Sequence, residues 1–432
     1  MYLNKKLFLI FLVTILLIAV SSVDKNTAYG NKDMPLSKGH PKNVILMIAD
    51  GYSTAYATNY RLYKDQESLL DPYLSGMVKT YSASSEITDS AAAATALATG
   101  YKTYNGRIST SIDGKPLKTI MEAIEDEGRK STGLVATTSV TDATPAAFAS
   151  HTGVRADQYE IAPQLIANDV DVLLSGGKKF FPDSLIESAI EKDYVFISDR
   201  DQLLNSNSNE KLLGLFSEEN MAPELDREET NQPSLAEMTL TAINVLNKNK
   251  NGFFLMVEGS QIDLAGHYHD AAWAMQDIES FEKAFSEVMD FAKKDKNTLV
   301  VVLGDHDTGG MSVGGYNKFG SNIEILRNVT ASGDFMVNKF SSTKNNIKEV
   351  IKEYTNITLT DQQVDRISTS TNPSAEVNNI VSEYALVGWI TGGHTGVDVP
   401  LYTYGPKSEN FKAVLDNTDI PKLISKAIKL EF

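Results

Sequence analysis

The sequence predicts an α/β fold: a mostly parallel central sheet flanked by helices on both faces, with a small inserted region. Two observations carry this. Short apolar runs recur along the chain, too short for core helices and suited to strands buried on both faces. Between them lie segments with helical periodicity, and strands alternating with helices build parallel sheets covered on both sides.

The expected strands are 44–49 (Val-Ile-Leu-Met-Ile-Ala), 133–137 (Gly-Leu-Val-Ala-Thr), 170–174 (Val-Asp-Val-Leu-Leu), 253–257 (Phe-Phe-Leu-Met-Val) and 299–303 (Leu-Val-Val-Val-Leu). Leu117, Ile120, Met121 and Ile124 recur at helical spacing ahead of Gly128. Ser234-Leu-Ala-Glu237 reads as a capping box opening a helix through Met238, Ala242 and Leu246. Trp273, Ile278, Phe281, Phe285 and Met289 mark a long amphipathic helix over 271–294. From Met311 to Ala385 the chain turns polar, rich in Asn, Ser, Thr and Lys, with weaker periodicity. Residues 39–310 and 386–432 therefore read as the main domain, and 311–385 as an insertion standing on it. A length of 432 residues suits this organisation better than one ordinary compact domain.

Residues 1–30 read as a signal peptide and leader. Lys5 and Lys6 precede a mostly apolar run over 7–20 that is short for a membrane span, and Ala19 and Ala28 mark candidate cleavage regions. This predicts export to the cell envelope or the medium, with no stable membrane span after cleavage. The absence of cysteine excludes disulfides and thiolate metal sites. A net charge of −16 and a pI near 4.9 argue against nucleic acid and anionic lipid as partners. Any site for a phosphate ester must then build its own local positive charge.

Ligands of such sheets bind beyond the carboxyl ends of the strands. Asp50-Gly51 follows the first run, and Asp142-Ala-Thr144-Pro145 follows the second, with His151 and Arg155 beyond. Glu258-Gly259, then Asp263 and His267, follow the run at 253–257, and Asp305-His306-Asp307 follows the last. His394 stands in a Gly-rich turn. Unpaired carboxylates gathered at one edge would raise one another's pKa. Divalent cations remove that conflict, and oxygen with imidazole suits zinc and magnesium. Ser90 sits where a strand-like approach meets the alanine-rich helix 90–98. There the free N–H groups and positive dipole end favour an alkoxide or a phosphate.

Each residue alone also has a plain reading. Asp50-Gly51 is a common strand-to-turn dipeptide, Ser90 an N-cap, Thr144 a turn residue and Arg155 a surface charge. His151 reads as a core histidine, His269 as a loop or supporting group and His40 as part of the leader. The joint pattern decides between the readings, because three of the six histidines, His267, His306 and His394, fall within it.

These motifs resemble the alkaline phosphatase family from about residue 43 to 406. The most specific segments are Thr88-Asp-Ser-Ala-Ala92 through Thr99-Gly-Tyr-Lys-Thr-Tyr-Asn-Gly106, Asp142-Ala-Thr-Pro-Ala146, Val257-Glu-Gly259 through Asp263 and His267, Asp305-His306, and Gly393-His-Thr-Gly396. The resemblance implies two Zn2+ and one Mg2+ per chain. One zinc would be held by Asp263, His267 and His394, the second by Asp50, Asp305 and His306 with Ser90 facing it. Magnesium would be held by Asp50, Thr144 and Glu258, with Asp142 reaching it directly or through water. Arg155 would clamp the substrate phosphate with two parallel hydrogen bonds.

The implied activity is hydrolysis of small phosphate monoesters through a covalent phosphoserine, releasing phosphate at alkaline pH. A homodimer and a crown-like role for 311–385 are compatible with it. Leu264 follows Asp263 where relatives often place Lys, His or Trp, which predicts no direct cationic contact to phosphate there. The rival readings are a phosphodiesterase of the same superfamily and a non-catalytic exported protein that binds phosphate or metal.

Overall fold

A computed structural model describes residues 39–127, 130–207 and 209–432. The expected signal segment at 1–30 lies outside them, as does Gly128. The strands are β1 (Asn43–Ala49), β2 (Leu74–Lys79), β3 (Ser131–Ser139), β4 (Val172–Gly176), β5 (Tyr194–Ile197), β6 (Lys211–Leu215), β7 (Phe253–Gly259), β8 (Thr298–Gly304), β9 (Asp307–Thr308), β10 (His394–Thr395), β11 (Val399–Tyr404) and β12 (Ala413–Asp416). Ten of them form one sheet in the order β12-β2-β11-β8-β1-β7-β3-β4-β6-β5, and β9 pairs with β10 separately.

Within the large sheet, β11 runs antiparallel to both its neighbours, and every other pairing is parallel. The carboxyl ends of β8, β1, β7 and β3 therefore lie side by side, and the amino end of β11 joins them. Every residue of β1, β7 and β8 is buried, as expected of near-continuous Val, Ile, Leu and Met runs covered on both faces. Each such side chain contributes about 1.5–3 kcal/mol on burial.

All five apolar runs are strands, with one shift. β4 begins at Val172, because Asp169 takes a left-handed turn (φ 53°) and the Asp171 carboxylate accepts from the Thr132 N–H at 2.9 Å. The helix expected near 117–124 is Ile120–Asp126, opened by a capping box of Thr119 and Glu122. Leu117 stays outside it, its N–H donating to the Ser109 carbonyl. The Ser234–Glu237 capping box opens helix Leu235–Leu246, and Asp270 caps helix Ala271–Asp295.

Five strands of the large sheet carried no clear sequence signal. β5, β6 and β12 are short, and β2 is interrupted by Ser75-Gly76. β11 contains Pro400, a residue that argues against a central strand. It is tolerated because the ladder to β8 begins one residue later, at Leu401.

Residues 311–385 contribute no strand. They form helices Gly333–Asn338, Ile347–Thr355, Asp361–Thr369 and Pro373–Ala385. Buried Ile347, Val350 and Ile351 are spaced for one helical face, a signal diluted by the polar residues around it. The Gly333 N–H donates to Asp270 and the Asn378 amide to the Tyr268 carbonyl, tying the segment to the chain beside His267. Among the described residues no helix is long and apolar enough to cross a membrane.

Candidate metal centre and active site

The sheet order places the expected residues. Asp50 follows β1, Glu258 lies at the end of β7, Asp305 follows β8 and Asp142 follows β3. Adjacent strands are about 4.8 Å apart, so these carboxylates cannot avoid one another. β10 leads directly into β11, so the antiparallel course of β11 carries His394 to the same edge. There β10 pairs His394 with Thr308.

Asp263 and His267 lie in the short helix Gln261–His267, four residues apart on one face. Seven residues are too few to show a period in sequence. Thr144 also lies in a helix, Ala143–Ala149. Pro145 is accepted in its first turn, where the backbone N–H has no helical partner.

The imidazoles share one design. His267 Nδ1 donates to the Gly392 carbonyl at 2.7 Å and His394 Nδ1 to the Thr88 carbonyl at 2.9 Å. A carbonyl only accepts, so Nδ1 carries the proton in both, and each Nε2 points inward. The two Nε2 atoms are 3.2 Å apart, with Asp263 carboxylate oxygens 3.3 Å from one and 3.5 Å from the other. His306 Nε2 lies 3.3 Å from both Asp50 Oδ1 and Asp305 Oδ2, and 3.1 Å from Ser90 Oγ. Its Nδ1 is 3.3 Å from the Thr308 hydroxyl, which donates to Asp263.

Two ligand-like groups result. One atom each of Asp263, His267 and His394 lie within 4.8 Å of one another, as do those of Asp50, Asp263 and His306. Asp263 thus faces both groups, whereas the sequence assigned it to one. Asp142, Glu258 and Asp305 belong to no group this tight among the described residues, although Asp305 Oδ2 lies 3.3 Å from His306 Nε2. Gly51 closes the floor: its φ is +75°, and a Cβ there would stand 2.8 Å from the Thr308 hydroxyl and 2.9 Å from Asp263 Cα.

Among the described residues, four oxygens of the expected ligands are buried with no hydrogen-bond partner: Asp50 Oδ1, Asp305 Oδ2, Thr144 Oγ1 and Glu258 Oε2. Buried polar atoms are ordinarily satisfied, so four such orphans among the expected ligands mark where cations fit. The electrostatics agree. Burial, with Asp305, Asp263 and Glu258 nearby, pushes the Asp50 carboxyl well up. Burial and Asp142 push Glu258 up to about 8. Burial pushes Asp305 up to about 7, against the opposing Gly51 N–H. Asp263 goes the other way, because its bond to His267 and the imidazoles of His306 and His394 outweigh its burial. Burial and His394 hold His306 well down, so it is neutral and able to offer a lone pair.

Ser90 opens helix Ser90–Thr99, capped by Asp89, whose carboxylate accepts from the Ala92 N–H. All ten helix residues are buried, and its alanines allow close packing on helix Ala143–Ala149. Arg155 Nη1 donates to Asp89 at 3.3 Å and Nη2 to Asp142 at 3.2 Å. Burial would lower the pKa of the Arg155 guanidinium, but Asp142, Asp89 and Asp50 raise it. The Arg155 guanidinium that faces these carboxylates is therefore fixed in place and permanently charged.

The sequence reading left out Asp89, which positions both Ser90 and Arg155, and Thr308, which braces Asp263. An acidic residue before a nucleophile candidate could have signalled the first. The Thr308 role depends on a β9–β10 pairing that no local pattern reveals. His151 is a satisfied histidine away from this cluster, bonded to the Ser109 carbonyl at 2.8 Å and to Glu122 at 2.7 Å. His40 donates to the Ala427 carbonyl at 2.8 Å.

The family model described as alkaline phosphatase matches residues 41–430. Alkaline phosphatase 3 of Bacillus subtilis is 41% identical, over 90% of this chain and 89% of its own. Alkaline phosphatase 4 of the same organism is 38% identical, over 91% and 90%. The crystal structure of the cold-active alkaline phosphatase of a psychrophilic Shewanella superposes with a TM-score of 0.85 at 33% identity, covering 89% of this chain and 99% of that one. The Thermus thermophilus enzyme gives 0.84 at 26% identity, covering 92% and 93%. With the match spanning nearly the whole chain and the fold agreeing, this chain belongs to the alkaline phosphatase family and is a metal-dependent phosphomonoesterase.

Proposed function

We propose that Ser90 is the nucleophile and that phosphate monoesters are hydrolysed through a phosphoserine on it. The observation that carries this is the position of Ser90 Oγ, 3.1 Å from His306 Nε2 at a helix N-terminus, with Arg155 held nearby by Asp89 and Asp142. Ser90 Oγ attacks phosphorus in line, the P–O bond to the alcohol breaks, and water then cleaves the phosphoserine to release phosphate. Arg155 orients the phosphoryl oxygens with paired hydrogen bonds, and its carboxylate partners keep the guanidinium plane fixed. The N-terminal dipole of helix Ser90–Thr99 favours the serine alkoxide and the phosphoryl charge.

The fitting cations are two Zn2+, one for Asp263, His267 and His394 and one for Asp50, Asp305 and His306. One Mg2+ fits Asp50, Thr144 and Glu258, with Asp142 close to that set. Bound there, they would supply Lewis-acid charge that favours ionisation of the serine and of water and neutralises the leaving oxygen. A TAB5 alkaline phosphatase variant, 29% identical with a TM-score of 0.70 and covering 91% of this chain, holds magnesium in its M3 site, which supports the magnesium assignment.

Residues 1–30 serve export in this reading, and 311–385 form an accessory region beside His267. Hydrolysis of 4-nitrophenyl phosphate at alkaline pH tests the mechanism. Chelator and Ser90→Ala should each abolish it, and bis(4-nitrophenyl) phosphate should turn over far more slowly. Retained turnover in Ser90→Ala contradicts the serine mechanism.

A further inference from the structure

His269 is not a member of either ligand-like group, yet it adopts a left-handed backbone (φ 53°) that an ordinary side chain takes at some cost. Its side chain explains the placement. Nε2 donates to the Thr391 carbonyl at 2.8 Å, next to the Gly392 carbonyl that accepts from His267. Two histidines on one turn thus grip consecutive carbonyls of the loop that carries His394. The His269 ring lies flat on Trp389, with centroids 5.1 Å apart and planes 9° apart.

Trp389 is itself pinned. Its Nε1 donates to the Ser382 hydroxyl, which donates onward to the His269 carbonyl. Tyr56 meets its ring edge-on at 6.3 Å, and the Tyr56 hydroxyl donates to the Thr308 carbonyl at 2.6 Å. On the other side Gly309 accepts from the Ile390 and Thr391 N–H groups and donates to the Gly393 carbonyl. A Cβ on Gly309 would stand 2.6 Å from the Trp389 ring, so the loop sits directly against the backbone of β9's successor.

We propose that His269 is a positioning residue for the Asp263–His267–His394 group. Stacked on Trp389 and bonded to Thr391, it sets the height of loop 389–394 and hence how tightly the cation at that group is retained. This rests on the metal assignment proposed above and adds a residue to it. Groups that orient metal-binding histidines through their outer hydrogen bonds typically change affinity about 10–100-fold when removed. Here the support is one step further out, acting through the backbone that places His394.

The test uses the metal-loaded full-length protein. His269→Phe keeps the stack and removes the N–H donor, while His269→Gln keeps a donor and removes the stack. Zinc release to excess chelator is followed with a colorimetric indicator, and Co2+-substituted protein gives a visible spectrum sensitive to ligand geometry. His269→Phe should release one zinc equivalent about 10-fold faster and change the cobalt spectrum. His269→Gln should return most of the way to the parent protein in both.

Absence of either change in His269→Phe, or equal loss in the two variants, overturns the proposal. If His269→Phe does not fold, His269→Leu decides: faster release than in His269→Gln supports the clamp, and release equal to that of His269→Gln overturns it. Failure of the parent protein to bind zinc would sink the metal assignment itself, a result distinct from parent binding with indifferent variants.

Discussion

Two places in this molecule bury carboxylates, and they treat them oppositely. On helix Ala271–Asp295, Glu282 is surrounded by its own donors. Its Oε2 accepts from the Tyr60 hydroxyl and Lys64, and its Oε1 from the Ser68 hydroxyl and the Leu69 N–H. At the carboxyl edge of the sheet, Asp50, Glu258 and Asp305 each keep an oxygen with no hydrogen-bond partner. A carboxylate buried for structure arrives with its donors in the chain. One buried for metal chemistry leaves its lone pairs facing an ion that the chain does not encode. The histidines differ in company: His151 Nε2 meets the Glu122 carboxylate, while the Nε2 atoms of His267 and His394 meet each other beside Asp263 and that of His306 lies against both Asp50 and Asp305.

The contrast is broken or sharpened by substitution, and the largest effects belong at the edge. Ser90→Ala should lower kcat by on the order of 10^4-fold or more, as removal of a nucleophile does, with zinc content unchanged. Asp50→Asn should abolish turnover and lower metal content by elemental analysis. In chelated protein it should raise the thermal midpoint, because it replaces a buried carboxyl whose ionisation burial and the neighbouring acids oppose. Arg155→Ala should cost about 10^2–10^3-fold in kcat/KM for an aryl phosphate, the scale for losing a preorganised charge at a developing anion. Glu282→Gln should do the reverse of Asp50→Asn. It should lower stability by about 2 kcal/mol in urea titrations and leave kcat near the parent value, since its donors lose a charged acceptor.

The smallest expected effect is a pH slope in chelated protein. Glu258 and Asp305 have folded pKa values near 8 and 7, above the usual carboxylate range. Where the folded state binds the extra proton, stability falls as pH rises. His267, raised by Asp263, acts in the same direction. His306 is depressed and opposes this only up to about pH 6.5, the ordinary histidine value. Denaturant midpoints of chelated protein should therefore fall between about pH 6.5 and 8, and zinc should remove the slope. A midpoint that rises over that window would show that these carboxylates are not uncompensated.

Much of the edge was legible because several of its carboxylates follow apolar runs. The rule that ligands gather at the carboxyl ends of strands needs only the runs and the residues after them. Asp50, Glu258 and Asp305 were found this way. His394 was singled out by its Gly-rich turn, but no expected strand carried it to the edge, because it precedes one, and the antiparallel direction of β11 is not written in Val399-Pro-Leu-Tyr-Thr-Tyr404. The Asp263–His267 helix was too short to show its period. Thr308 escaped notice, and His269, read as a loop or supporting group, had no partner assigned, for a related reason. Each acts on a residue near in space through a hydrogen bond whose partner is a carboxylate or carbonyl tens of residues away. The five faint strands were obscured by edge position, by length or by a proline that tertiary pairing accommodates.

Anomalous diffraction at the zinc absorption edge from crystals of the metal-loaded protein tests the central claim most directly. Two strong peaks should appear at the edge of the sheet, one among Asp263, His267 and His394 and one among Asp50, Asp305 and His306 beside Ser90. A zinc-loaded crystal with no peak there, or with its zinc bound elsewhere, would contradict the account.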